Sequence, residues 1–394
     1  MTPYRDCLAV CLCLLCLILP LAGQETFAAS LPADEDAKAR TQYRLALASF
    51  EAGDLGSYRQ LRAGLKDYVL YPYLLYRELD ARLDQATDAE IAEFLEQYAD
   101  TPLADSLRQA RLKTLARRAA WPRFLALYDG SGNTAMQCYA LQAELAMGGA
   151  EEAILQESER LFTVGYSQPK ACDPLFALLD RRGRIDAELV WRRIDLVMAA
   201  GRTRLASYLS RWLNARDRVW LALWQDMHRH PARYLKDPKT AQDGPMVRKI
   251  MRHGFLRLAR SNPTGAFTLW QEKREDYDFS DAVAGEISRE VALRMSYRYL
   301  PAAAAALDAL PPRWRNSDTA IWRTRIALRA SDWQAVQRHL LELPPKERNT
   351  AQWQYWLARA EAKLGQTAMA KQRYSTLANG MDYHGFLAAD RVNK

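Results

Sequence analysis

Few residues in this chain are spaced for chemistry. His228, His230 and His253 fall in one region, but their spacing matches no zinc pattern and no cysteine accompanies them. Asp276, Asp278, Ser280 and Asp281 faintly resemble a calcium loop. Its sixth position is Asp281 instead of Gly and its twelfth is Ile287 instead of Glu, so the loop is rejected. No P-loop, dinucleotide fingerprint or Gly-x-Ser-x-Gly occurs, and neither a metal nor a cofactor is expected. One acid stands beside a hydroxyl, Glu157-Ser158 in Q-E-S-E-R. A catalytic acid that keeps its proton at neutral pH needs an apolar pocket. Glu151, Glu152 and Glu159 crowd this stretch, which reads as the polar face of a helix.

The remaining reactive residues are six cysteines, and the N-terminus sorts them. Arg5 precedes an apolar run over 7–22, and Thr26 and Ala28 occupy the −3 and −1 places of a cut before Ala29. About 16 apolar residues fall short of the roughly 20 that span a bilayer. Residues 1–28 are therefore read as a cleaved signal peptide, leaving no stable membrane anchor. No small residue directly precedes Cys11, Cys13 or Cys16, so none reads as a lipoprotein acceptor. Four cysteines leave with the signal. Cys138 and Cys172 remain, and an even pair in an exported chain is expected to be a disulfide instead of two buried thiols.

Charge is unevenly placed. The 394 residues carry a net +8, yet 30–100 hold 14 acidic and 8 basic residues, whereas 201–260 hold 14 basic and 4 acidic. Such a basic segment attracts polyanions, and Arg248, Lys249 and Arg252 are its candidate binding residues. The alternative is a solvated set of outer helix faces. Export makes nucleic acid an unexpected partner.

The elements that would position these residues are helices. Apolar stripes at helical spacing recur over 42–52, 54–65, 88–98, 102–118, 124–128, 137–147, 150–162, 173–179, 185–199, 202–213, 318–329 and 334–343. Gly53, Gly148, Gly165, Gly183 and Gly201 punctuate them. Residues 30–39 read as a short flexible lead, and 231–245, with three prolines, as a loop or a change of direction. No alternating β-branched run bounded by turn signals appears. The expectation is all-α: an α-solenoid of stacked hairpins over 29–394, each burying its face on its neighbours. Trp353, Trp356, Leu357, Ala360 and Leu364 make one stripe, Ala370, Tyr374 and Leu377 the next, and Phe386, Leu387 and Ala388 point toward a core.

Three stretches carry a family resemblance. W-x-Y-W-x-A-R-A, a Gly, A-x-x-x-Y-x-x-L-A and Y-H-G-F-L-A-A-D-R over 352–391, Y-P-Y-L-x-Y-R over 71–77, and the sequences around Cys138 and Cys172 resemble the superhelical, U-shaped domain of soluble lytic murein transglycosylases. The likeness is weak over 201–272. It implies a superhelix closing into a U or ring, a Cys138–Cys172 bridge, a periplasmic place in cell-wall turnover, and peptidoglycan strands as the polyanion. In that family a Glu-Ser pair followed by Gly-Leu-Met-Gln supplies the acid. The acid protonates the leaving oxygen of the MurNAc–GlcNAc bond, and the 6-hydroxyl of the sugar closes an anhydro ring. No Gly-Leu-Met-Gln occurs here, so Glu157 is read as a solvated residue and no catalytic residue is assigned. The family's matching segment leads into a catalytic domain, whereas this chain ends at Lys394. The expectation is a strand-guiding part that binds glycan strands without cutting them. A helical-repeat scaffold for protein partners is the alternative.

Overall fold

The computed structural model describes residues 33–394; the signal-peptide reading of 1–28 and its cut before Ala29 lie outside the described residues. Among the described residues there are 23 α-helices, five short 3-10 helices and no strand. The chain falls into two compact units, the first ending at Leu127 and the second running Tyr128–Lys394.

The first unit contains the helices Ala33–Glu51, Leu55–Ala63, Tyr71–Ala81, Asp88–Gln97, Pro102–Arg117 and Trp121–Leu127. Their ends follow from side-chain chemistry. The Asp54 carboxylate accepts from the amide of Ser57 at 3.0 Å and caps the second helix. Thr87 and Glu90 close a reciprocal capping box on the fourth. Pro72 and Pro102 sit in first turns, where the missing amide costs nothing. The aromatic string 71–77 places Leu74 in a core with Ala46, Tyr58 and Leu65. The Tyr58 hydroxyl is satisfied by the carbonyl of Leu74 at 2.9 Å, and burial pushes its pKa up to about 12. One expectation is corrected here. The lead over 30–39 is helical from Ala33, because Ala, Glu and Lys favour a helix even without an apolar stripe.

In the second unit each helix packs mainly on those one or two places away in sequence, as a solenoid requires. A long core from Leu155 to Leu310 is followed by local cores around Val336 and Leu357 and around Tyr355 and Tyr374. Helix Ala351–Lys363 shows why the layers stack. Trp353, Leu357 and Ala360 pack with Val336 and Leu340 of the preceding hairpin, while Tyr355 and Ala358 pack with Ala370, Tyr374 and Ala388 of the following one. A helix buried on two sides needs small residues where backbones approach, and its alanines supply them.

One further expectation is narrowed and one is corrected. Of the two readings of 231–245, the structure takes the change of direction: the stretch contains the helical turn Pro231–Tyr234 and the 3-10 turn Pro238–Thr240, and the Tyr277 hydroxyl donates to the carbonyl of Thr240 at 2.8 Å. The prolines are accommodated because each opens a helical element. Phe386 does not face a core. It is 64% exposed, because helix Tyr383–Val392 turns Gly385 and Ala388 inward instead.

Candidate functional site

The three basic residues singled out above lie on helix Pro245–Ser261, and each meets a carboxylate. Arg248 pairs with Asp243 at 3.2 Å and Asp278 at 3.1 Å. Lys249 reaches Asp195 of helix Ala187–Ala199 at 2.7 Å. Arg252 forms a two-pronged pair with Glu286 of helix Asp281–Tyr297 at 2.5 and 2.6 Å. These are ties between helix layers, each contributing about 0–1 kcal/mol at such exposure. They also cancel part of the charge that the sequence count assigns to this face.

Glu157 has the opposite of an acid's environment. Arg160 grips both of its oxygens at 2.5 to 2.9 Å, and that hydrogen bonding lowers its pKa below the usual carboxylate range. Ser158 is fully buried and donates to the carbonyl of Ile154, one turn back. Glu151, Glu152 and Glu159 are tied to Arg182 and Arg184. The structure brings together two of the three histidines: His228 Nδ1 and His253 Nε2 are 3.0 Å apart in stacked rings. Burial, with Arg257, Arg252 and Arg260 nearby, lowers the His253 pKa to about 3. His253 is therefore neutral at physiological pH, and burial lowers the His228 pKa as well. His230 caps the C-terminus of helix Ala215–Arg229.

A groove lies elsewhere in the second unit, and the disulfide sets one of its walls. Cys138 and Cys172 are joined, with Cα atoms 5.0 Å apart. The bridge fixes the turn Lys170–Cys172, from which helix Asp173–Arg181 departs. The Gln142 amide ties the same turn by donating to the carbonyl of Ala171 at 2.6 Å. Phe162, helix Ala187–Ala199 and the segment from Thr203 through Trp212 supply the other walls of this open groove of about 520 Å³.

Arg193 lines this groove and is only 4% exposed. Its guanidinium carbon stands 4.3 Å from the Phe162 ring centre and 5.8 Å from that of Phe176. Those two rings, edge to face at 5.3 Å, form an apolar floor. Nη2 donates to the carbonyl of Tyr166 at 3.3 Å, while Nε has no hydrogen-bond partner among the described residues. No carboxylate pairs with Arg193 among the described residues. Desolvation pushes its pKa down to about 10, so the group stays charged at neutral pH. Above it, Arg211 stacks 3.9 Å from the Trp212 ring centre and 4.1 Å from that of Tyr208. Asp180 accepts from the Trp212 indole at 2.8 Å and fixes that ring.

The sequence reading missed this groove, although one signal was present. Val190, Ile194 and Val197 are fully buried on helix Ala187–Ala199, and Arg193 falls on the same stripe. A charged residue in a buried stripe demands a partner. Chemically, the groove presents guanidinium donors above aromatic faces, an arrangement suited to holding an anion.

No family model matches the chain. The soluble lytic murein transglycosylase of Escherichia coli (strain K12) is 27% identical over 364 residues, covering 92% of this chain and 56% of that protein. The protein of the same name from Salmonella typhimurium is 26% identical over 371 residues, covering 94% and 57%. Among solved structures, an inactive mutant of the lytic transglycosylase Slt from Pseudomonas aeruginosa matches with a TM-score of 0.79 at 32% identity, over 89% of this chain and 57% of that one. The 70-kDa soluble lytic transglycosylase in complex with bulgecin A matches with a TM-score of 0.76 at 25% identity, over 91% and 58%. The chain thus spans little more than half the length of the curated relatives it matches.

Proposed function

We propose that this chain, a homologue over nearly all its length of part of the soluble lytic murein transglycosylases, is the helical portion that binds and guides peptidoglycan strands. The observation that carries the reading is the match over 92% of the chain, accompanied by the same helical fold at a TM-score of 0.79. We assign the cutting step, cleavage of the MurNAc–GlcNAc bond with anhydro-ring closure, to the part of those relatives that this chain does not span. The setting proposed is the periplasm, after removal of the signal peptide, in cell-wall turnover. Arg248, Lys249 and Arg252 remain proposed polyanion contacts. Because each is paired, a polyanion must displace or share a carboxylate there, and the binding they support is weak and salt-sensitive.

The test is co-sedimentation of the purified chain with intact sacculi. Retention at low salt that falls as salt rises, with no release of anhydro-muropeptides, is the expected outcome. A chain that stays in the supernatant at every salt concentration would favour the scaffold for protein partners.

A further inference from the structure

We infer that the groove over Arg193 is a binding site for a single carboxylate carried on a short peptide. The inference deepens the peptidoglycan reading, since murein stem peptides carry such groups, but the chemistry of the groove points to the carboxylate by itself.

The argument begins with partners. The other buried arginine among the described residues, Arg111, has an acid, and so does Arg323, whose side chain is 9% exposed. Arg111 meets Asp88 at 2.9 Å, and Arg323 meets Asp308 at 2.8 Å and Glu342 at 2.6 Å. Arg193 is buried as deeply as Arg111 and has one carbonyl at 3.3 Å and two aromatic rings. A buried charge without an ionic partner is costly. The neighbouring buried positions of the helix are aliphatic, and the guanidinium's own contacts, two rings and one carbonyl, include no ionic partner. A charge held ready beside an open groove is accounted for when the missing partner arrives with a ligand.

The sign and number of charges narrow the ligand. Arg193, Arg204 and Arg211 line the groove against Asp173 and Asp180, an excess of one positive charge. One excess charge suits a monoanion, whereas the two aspartates oppose a doubly charged phosphate. A guanidinium fork matches a carboxylate with two parallel hydrogen bonds. Arg211 is already stacked on Tyr208 and Trp212, which orders its fork before any ligand binds. About 520 Å³ falls within the range of small-ligand pockets and accommodates a few residues or a residue with a sugar.

The experiment titrates the full chain, by calorimetry or NMR, with N-acetylmuramyl-L-alanyl-D-isoglutamine, with the same compound amidated at its free carboxyl, and with L-alanyl-D-isoglutamine. The acid forms should bind at least about tenfold more tightly than the amide. Arg193→Met, which keeps the apolar stem, should abolish that preference without lowering the thermal midpoint, since it removes an uncompensated buried charge. A purely structural arginine would instead lower the midpoint. Arg211→Ala, at an exposed position, should weaken acid binding with the fold intact. Equal binding of acid and amide, unchanged binding by Arg193→Met, or no binding of either acid at millimolar concentration overturns the inference. If L-alanyl-D-isoglutamine alone binds as tightly as the muramyl compound, the carboxylate site stands and the peptide, without the sugar, carries the recognition. Sacculus co-sedimentation tests the wider reading separately.

Discussion

Breaking the Cys138–Cys172 bridge should destabilise the second unit by about 4 kcal/mol. The two residues are 34 apart in sequence, and the chain-entropy relation for a closed loop of that length gives about 4 kcal/mol at 25 °C. Native packing adds little to this figure, because both sulfurs are fully buried among Leu141, Ile154, Leu161 and Leu175 and alanines would lose only a sulfur's volume each. The Gln142–Ala171 hydrogen bond involves neither sulfur and should hold the turn in place after reduction while the unit is folded. The loss should therefore appear in unfolding and leave native spectra unchanged. Guanidinium titration of the wild-type chain, with and without reductant, and of Cys138→Ala/Cys172→Ala should show the same drop in the transition that reports the second unit. A drop below about 1 kcal/mol in both would refute the reasoning, because it would mean the denatured chain is held compact near these residues without the bridge.

The Asp88 carboxyl is held at about 2 by hydrogen bonds from Arg123 and then Arg111, below its usual 3.8. A depressed folded-state pKa contributes stability above the unfolded value and loses it as pH falls from about 4 to about 2. At a side chain 58% exposed, screening limits the contribution to about 1 kcal/mol. The stability gap between wild type and Asp88→Asn, read from urea titrations, should therefore close across that window. Gly285→Ala should cost about 1–3 kcal/mol by overpacking, since a Cβ there would stand 2.6 Å from Trp314 Cδ1. A thermal midpoint equal to wild type would show that the indole moves aside freely. Glu157→Gln should leave sacculus binding and the absence of anhydro-muropeptide release unchanged, because its carboxylate is tied to Arg160 and 40% exposed. Release by the wild-type chain that this change removes would make Glu157 an acid after all.

Much of the fold was legible because helix ends are written in local chemistry. Thr87 with Glu90, Asp54, Pro72 and Pro102 each satisfy or excuse an orphan amide, and the helices begin where these residues say. The stripe of Trp353, Leu357 and Ala360 was legible for the same reason of period. Tyr355 was not, because a helix buried on two sides has no single stripe to detect. Residues 231–245 stayed ambiguous between a loop and a change of direction because proline reads as a breaker unless its place in the helical turn is known. The disulfide followed from export and an even count. The Arg193 groove depends on four helical segments and the loop at 167–168 meeting, and periodicity within each says nothing about their meeting.

Counting charges along 201–260 treats every cation as available to a ligand, and the stacked layers show why that fails. Adjacent helices in a solenoid bring acid from one layer against base from the next, as Lys249 with Asp195 and Arg252 with Glu286. A cation so placed has its attraction for a polyanion opposed by its own partner within 3 Å. The informative quantity is the cation left without such a partner after the layers have packed. Arg193 is that case at a buried position, and it lies outside the segment with the largest formal charge. If peptidoglycan is held by scattered surface charge, reversing Arg248, Lys249 and Arg252 together should release it while Arg193→Met has no effect. If it is held by carboxylate recognition in the groove, the order of the two effects reverses. Measuring retention on sacculi for both variants at one salt concentration separates the two mechanisms.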